Sequence, residues 1–147
     1  YGDPTFFFIF DIWNVGADNV RIFSDPWTDL GQGLAGTNGT PVLAGSGTLA
    51  PSTPIGLTLT NALPSSSSTL IIGVSALNAP FKGGTLVPNP TVLIFGLPIS
   101  GAGTLALNGT WPANVPSNVS FYFQHWIVDA GGPVGFAASN GLQGTTP

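Results

Sequence analysis

The run Gly56-Leu57-Thr58-Leu59-Thr60-Asn61 alternates apolar and polar side chains. Successive side chains of an extended chain point to opposite faces, so this run reads as a strand with leucines inward and threonines toward water. The neighbouring segments repeat the habit. Residues 41–49 and 69–77 read as strands, the first with a bulge expected at Gly45 or Gly47. Further along, residues 91–99, 104–108, 118–129 and 136–143 read as strands, and Asn108-Gly109 has the composition of a type I′ turn. Toward the N-terminus, residues 5–13 and 20–23 read as strands. The loops are expected at 24–40, 78–90 and 111–117.

The 147 residues include 21 Gly and 14 Pro, which leave no stretch that resembles a long amphipathic helix. Eight to ten short strands separated by turns predict an all-β fold with essentially no helix: an antiparallel two-sheet β-sandwich, Ig-like or jelly-roll-like. Two segments are expected, an N-terminal strand segment at 1–26 and a β-sandwich module at 27–147.

Charge is scarce. Lys and Arg total 2, Asp and Glu total 6, and charged residues make up 5% of the chain. A typical domain is about a quarter charged. Two cations cannot neutralise a phosphate backbone, which excludes nucleic acid as a partner. The same shortage argues against an anionic membrane surface. Membrane insertion is not expected, because no apolar run approaches the ~20 residues of a spanning helix and prolines interrupt most windows the length of a barrel strand. Cys and Met, the readily oxidised residues, are both absent, which suits an exposed extracellular or cell-surface location. A first residue of Tyr1 fits removal of a leader peptide or trimming of the chain.

Catalytic and metal chemistry find little to work with. His125 is the only histidine and belongs to one face of the Phe121-Phe123-His125-Ile127 strand, where a half-buried, hydrogen-bonded role is expected. No Gly-x-Ser-x-Gly turn accompanies it, so no catalytic residue is assigned and the chain is read as non-enzymatic. Five of the acids, Asp3, Asp11, Asp18, Asp25 and Asp29, crowd the first 29 residues without the spacing of a calcium loop. They are expected to bond nearby backbone at turns and strand ends. No cofactor or metal is expected.

Trp27 and Trp111 stand in segments read as loops and are candidates for stacking on a sugar ring. Asn38, Asn108 and Asn118 each begin an Asn-x-Ser/Thr sequon and are candidate glycosylation sites, with Asn38 and Asn108 expected in turns.

The stretch 27–147 carries a further set of signals. Asp29-Leu30-Gly31, Pro41-Val42-Leu43-Ala44-Gly45-Ser46-Gly47-Thr48-Leu49 and Pro80-Phe81-Lys82-Gly83-Gly84-Thr85-Leu86-Val87-Pro88 come first. Tyr122-Phe123-Gln124, Trp126 to Asp129, Gly135-Phe136-Ala137-Ala138-Ser139-Asn140 and Thr145-Thr146-Pro147 follow. In order and spacing these pieces resemble an uncharacterised C-terminal module of large secreted bacterial proteins. The resemblance implies a secreted β-rich module and brings no activity, cofactor or catalytic residue. In that family a much larger ectodomain precedes the module; here some 26 residues do, which turns attention to the N-terminal segment.

That segment contains Phe6-Phe7-Phe8-Ile9-Phe10, followed by Ile12. A strand apolar on both faces must be covered on both faces. It can be a central strand of its own sandwich, or it can insert as a donor strand into another copy and generate a filament. The second option also shelters a barely charged surface. Phe6, Phe7, Phe8, Ile9, Phe10 and Ile12 are therefore expected at a subunit interface of a self-assembling extracellular filament. The alternative is a monomeric carbohydrate-binding or adhesion module, with polysaccharide as the partner.

Overall fold

A computed structural model describes residues 25–147. The strands are β1 (Trp27–Gly31), β2 (Val42–Ser46), β3 (Pro54–Thr60), β4 (Ser67–Gly73), β5 (Ala76–Phe81), β6 (Gly84–Pro88), β7 (Val92–Pro98), β8 (Leu105–Thr110), β9 (Ser120–Val128), β10 (Phe136–Ala138) and β11 (Gly141–Thr145). No helix occurs among the described residues. The all-β antiparallel sandwich is as expected, with one elaboration.

The main sheet runs β1-β11-β9-β4-β7, with β10 also beside β9. A second sheet runs β2-β3-β8, and β5-β6 form a separate hairpin. The alternating run of β3 behaves as its pattern dictates: Leu57 and Leu59 are buried while Thr58 and Thr60 are exposed. Between the two larger sheets, Leu43 and Leu57 meet Leu70, Phe123 and Leu142. Leu59 packs with Ile127 and Ile99.

The other face of the main sheet is also covered. Ile71 and Trp126 lie under Leu86 and Phe81 of the β5–β6 hairpin. The Phe81 ring stands edge-on to Trp126, with centroids 5.0 Å apart and planes at 85°. A sheet covered twice needs central strands apolar on both faces, and Leu70-Ile71-Ile72 of β4 supplies one.

Four local expectations are corrected. The chain bends after β4, so 69–77 is not one strand. The hairpin leaves over the outer face and returns to pair beside β4, with the Thr91 amide donating to the Ile72 carbonyl at 2.9 Å. Gly73 allows this return, since a Cβ there would overlap the Asn89 carbonyl. Second, the expected loop 78–90 holds most of that hairpin. Its two-residue turn has Lys82 at φ 49° and Gly83 at φ 85°, both in the left-handed region that a type I′ turn requires.

Third, Asn108-Gly109 is not a turn. Asn108 pairs with Gly56 and Gly109 with Ile55 inside the β3–β8 ladder. Fourth, no bulge interrupts β2, whose register with β3 is unbroken from Val42 to Ser46. Gly45 serves packing instead: a Cβ there would overlap the Trp27 indole.

Candidate functional site

Buried polar side chains join the layers. Gln124 of β9 accepts from the Val87 amide at 3.0 Å and from Trp126 Nε1 at 3.0 Å. Its Nε2 donates to the carbonyls of Thr85 at 3.1 Å and Ser139 at 3.0 Å. All four of its hydrogen-bonding positions are filled, and they hold β6 against β9. Asn140, between β10 and β11, accepts from the Leu43 amide at 2.7 Å and donates to the Leu43 carbonyl at 3.1 Å. It thereby ties β2 to the main sheet. This use of Ser139-Asn140 splits the expected strand 136–143 into two pieces.

Asp129 is buried, and burial works against its charge. Thr37 Oγ1 donates to it at 2.6 Å, the Thr37 amide at 2.9 Å and the Gly131 amide at 2.8 Å. These bonds outweigh the desolvation and hold its carboxyl below the usual range. Asp25 and Asp29 accept from the amides of Trp27 and Gly31, the strand-end role expected of them. Among the described residues no three His, Asp or Glu side chains gather as metal ligands. Asp3, Asp11 and Asp18 lie outside the described residues.

His125 is fully enclosed rather than half-buried, with Nδ1 2.6 Å from Ser68 Oγ. Its Nε2 has no partner among the described residues. Burial pushes the imidazole down to about 4. A neutral ring with no exposed surface meets no substrate in this conformation.

The two candidate stacking residues do not form a platform. Trp27 belongs to β1 rather than a loop, rests half-buried on Gly45, and donates from Nε1 to the Gly47 carbonyl at 3.0 Å. Trp111 does lie in a loop, but it is buried, edge-on to Phe121 with centroids 5.1 Å apart. Both rings are used as packing, which corrects the expectation of exposed stacking. Asn38, Asn108 and Asn118 are all exposed. Asn38 and Asn118 lie in turns, whereas Asn108 lies on β8. Phe6, Phe7, Phe8, Ile9, Phe10 and Ile12 lie outside the described residues.

The site that sequence reasoning overlooked is the edge of the main sheet. Among the described residues, β7 pairs with β4 on one side only. Val92, Leu93, Ile94 and Phe95 are 46, 46, 39 and 72% exposed. Opposite Thr69 the register shifts, so that Phe95 and Gly96 face one residue, with Gly96 at φ 69°. This bulge accompanies the large exposure of Phe95. Pro90 and Pro98 bracket the strand, and no charged residue occurs between Gly83 and Val128. Natural edges are normally guarded by charge, especially Lys, or by a covering element. β7 has neither among the described residues. The signal was present in the sequence: four consecutive apolar residues imply two faces needing cover.

Comparison with family models, curated proteins and solved structures gave no match.

Proposed function

We propose that this protein is a secreted, non-enzymatic structural subunit that assembles with copies of itself into an extracellular filament, joined by strand addition of its N-terminal segment. One observation carries the reading. Residues 25–147 contain only four charged side chains, Asp25, Asp29, Lys82 and Asp129, and the last is buried. The same surface exposes Val42, Val74, Leu77, Val128 and Val134 besides the apolar run of β7. A monomer is normally kept apart from its neighbours by charge. A surface with three exposed charges and many exposed apolar side chains is suited to being covered by neighbours.

Phe6-Phe7-Phe8-Ile9-Phe10 supplies the joining element. Five such side chains withdrawn from water are worth a gross ~7–15 kcal/mol before ordering costs. Lack of Cys and Met, and three exposed sequon asparagines, fit an extracellular life.

The test is electron microscopy and sedimentation of the native protein beside a chain lacking residues 1–13. The expected result is fibres from the full chain and particles from the shortened one. Single particles from the full chain at high concentration would overturn the proposal.

A further inference from the structure

On the strength of that reading, we infer that the acceptor is the open edge of β7, and that residues 6–12 of a second copy pair along it. The two strands match in three respects. Residues 6–10 are apolar on both faces of an extended chain, and β7 shows water apolar side chains on both faces. Leu93 pairs with Ile71, under the hairpin side of the sheet, and Ile94 pairs with Leu70, on the side of β2-β3-β8. An added strand would therefore set phenylalanines beside leucine on one face and isoleucine on the other. In length, residues 6–12 and Val92–Pro98 each span seven positions, with Pro90 and Pro98 limiting the ladder at both ends. No charge on β7 opposes the donor, whose one charged residue is Asp11: Phe6 to Phe10 and Val92 to Leu97 have none.

Placement favours a second copy over the same chain. β1, where the described chain begins, is the opposite edge of the main sheet from β7. Both faces between those edges are covered, by β2-β3-β8 and by β5-β6. A strand returning to its own β7 has to cross the full width of the main sheet, over a cover or past the strand ends. A strand given to a neighbour need not. Pairing within one chain would seal β7 yet leave Val42, Val74, Leu77 and Val134 in water, whereas stacked bodies can cover them too. Donor and acceptor are different patches, so each addition leaves one of each open, and the assembly extends without closing.

The chain has no cysteine, which makes disulfide capture unambiguous. Affinity-tagged Phe8→Cys protein is mixed with untagged Leu93→Cys or Ile94→Cys protein and oxidised during assembly. Opposed strand residues bring Cβ atoms within reach of a disulfide, and the two acceptor positions sample both faces. The expected result is a tagged–untagged dimer with at least one of them. Leu93→Lys, a change at an exposed position, should leave the unfolding transition unchanged and lower the sedimentable fraction at least about tenfold. Filaments that form without either cross-link, or with normal yield from Leu93→Lys, would show that another surface accepts the strand while the filament role stands. A Phe8→Cys, Leu93→Cys double variant that closes within one chain and stays monomeric would overturn pairing between copies. Absence of filaments from the native chain would remove the functional reading itself.

Discussion

His125 Nδ1 lies 2.6 Å from the Ser68 hydroxyl, between the sheets, with neither residue appreciably exposed. Strand pairing sets this contact, since Leu70 stands opposite His125 and Ser68 opposite Ile127. Burial lowers the imidazole from 6.5 to about 4 in the folded chain. Between those values the unfolded state binds the extra proton, so stability rises with pH. The contribution of the neutral ring is complete above pH ~6.5 and is lost as pH falls toward ~4, to a total of about 3 kcal/mol. Asp129 acts in the same sense, because its hydrogen-bonded carboxylate is lost only at still lower pH. Denaturant unfolding at pH 7 and pH 4.5 should show a clear drop for the native chain. His125→Leu should flatten the part of the profile between pH 6.5 and 4. An equal slope in both proteins would remove the histidine as its cause.

The four hydrogen bonds of Gln124 make it the main polar tie between the β5–β6 hairpin and β9. Gln124→Met keeps much of the volume but leaves the Val87 amide and Trp126 Nε1 buried without their acceptor. Each buried donor left bare costs about 1–3 kcal/mol, so a loss of roughly 3–5 kcal/mol is expected. Amide exchange should speed up at Val87 before it does at Leu59 of β3. A cost below about 1 kcal/mol would mean that Leu86 and Phe81 hold the hairpin by packing alone.

Gly45 and Trp27 form a lock that depends on a missing Cβ. Gly45→Ala pushes a methyl group into the indole and should cost about 1–3 kcal/mol. Trp27→Leu opens the space, so the second substitution should cost less in that background. The check is a double-mutant cycle read by denaturant unfolding. Strict additivity would show that the ring moves aside freely.

The sandwich was legible where one physical rule acted alone. Leu57 and Leu59 alternate with threonines, and the strand is buried on one side as the pattern requires. Asn108-Gly109 suits a type I′ turn by composition, yet those residues extend β8 opposite Gly56 and Ile55. The actual turn uses Lys82, whose ammonium sits 4.2 Å from the centroid of the Phe136 ring. That contact comes from the folded hairpin and leaves no local trace. Trp27 and Trp111 are stacking candidates by sequence because Asp25-Pro26 and Pro112 beside them suggest loops. Their cover comes from Gly45 and Phe121, distant in sequence. The apolar run at Val92 to Phe95 was recognised as a strand, but edge or centre is decided by which strands pair, and composition does not encode that order.

Several polar or aromatic residues of the last three strands and their flanks, Gln124, Trp126, Asp129, Ser139, Asn140 and Thr146, are buried. Such residues specify the fold rather than a surface, and Thr146 near the end of the chain offers a clean test. Its Oγ1 accepts from the Val119 amide at 2.8 Å and donates to the Pro116 carbonyl at 2.7 Å, fastening the segment before β9. Thr146→Val preserves shape and removes both bonds, leaving a part-buried amide unpaired. The expected loss is about 1–3 kcal/mol, and Thr146→Ser should recover most of it. The readout is the unfolding midpoint together with amide exchange at Val119. If valine proved as stable as threonine, the hydroxyl would be dispensable and the backbone bond from the Thr146 amide to the Val119 carbonyl, at 2.9 Å, would suffice to hold the segment.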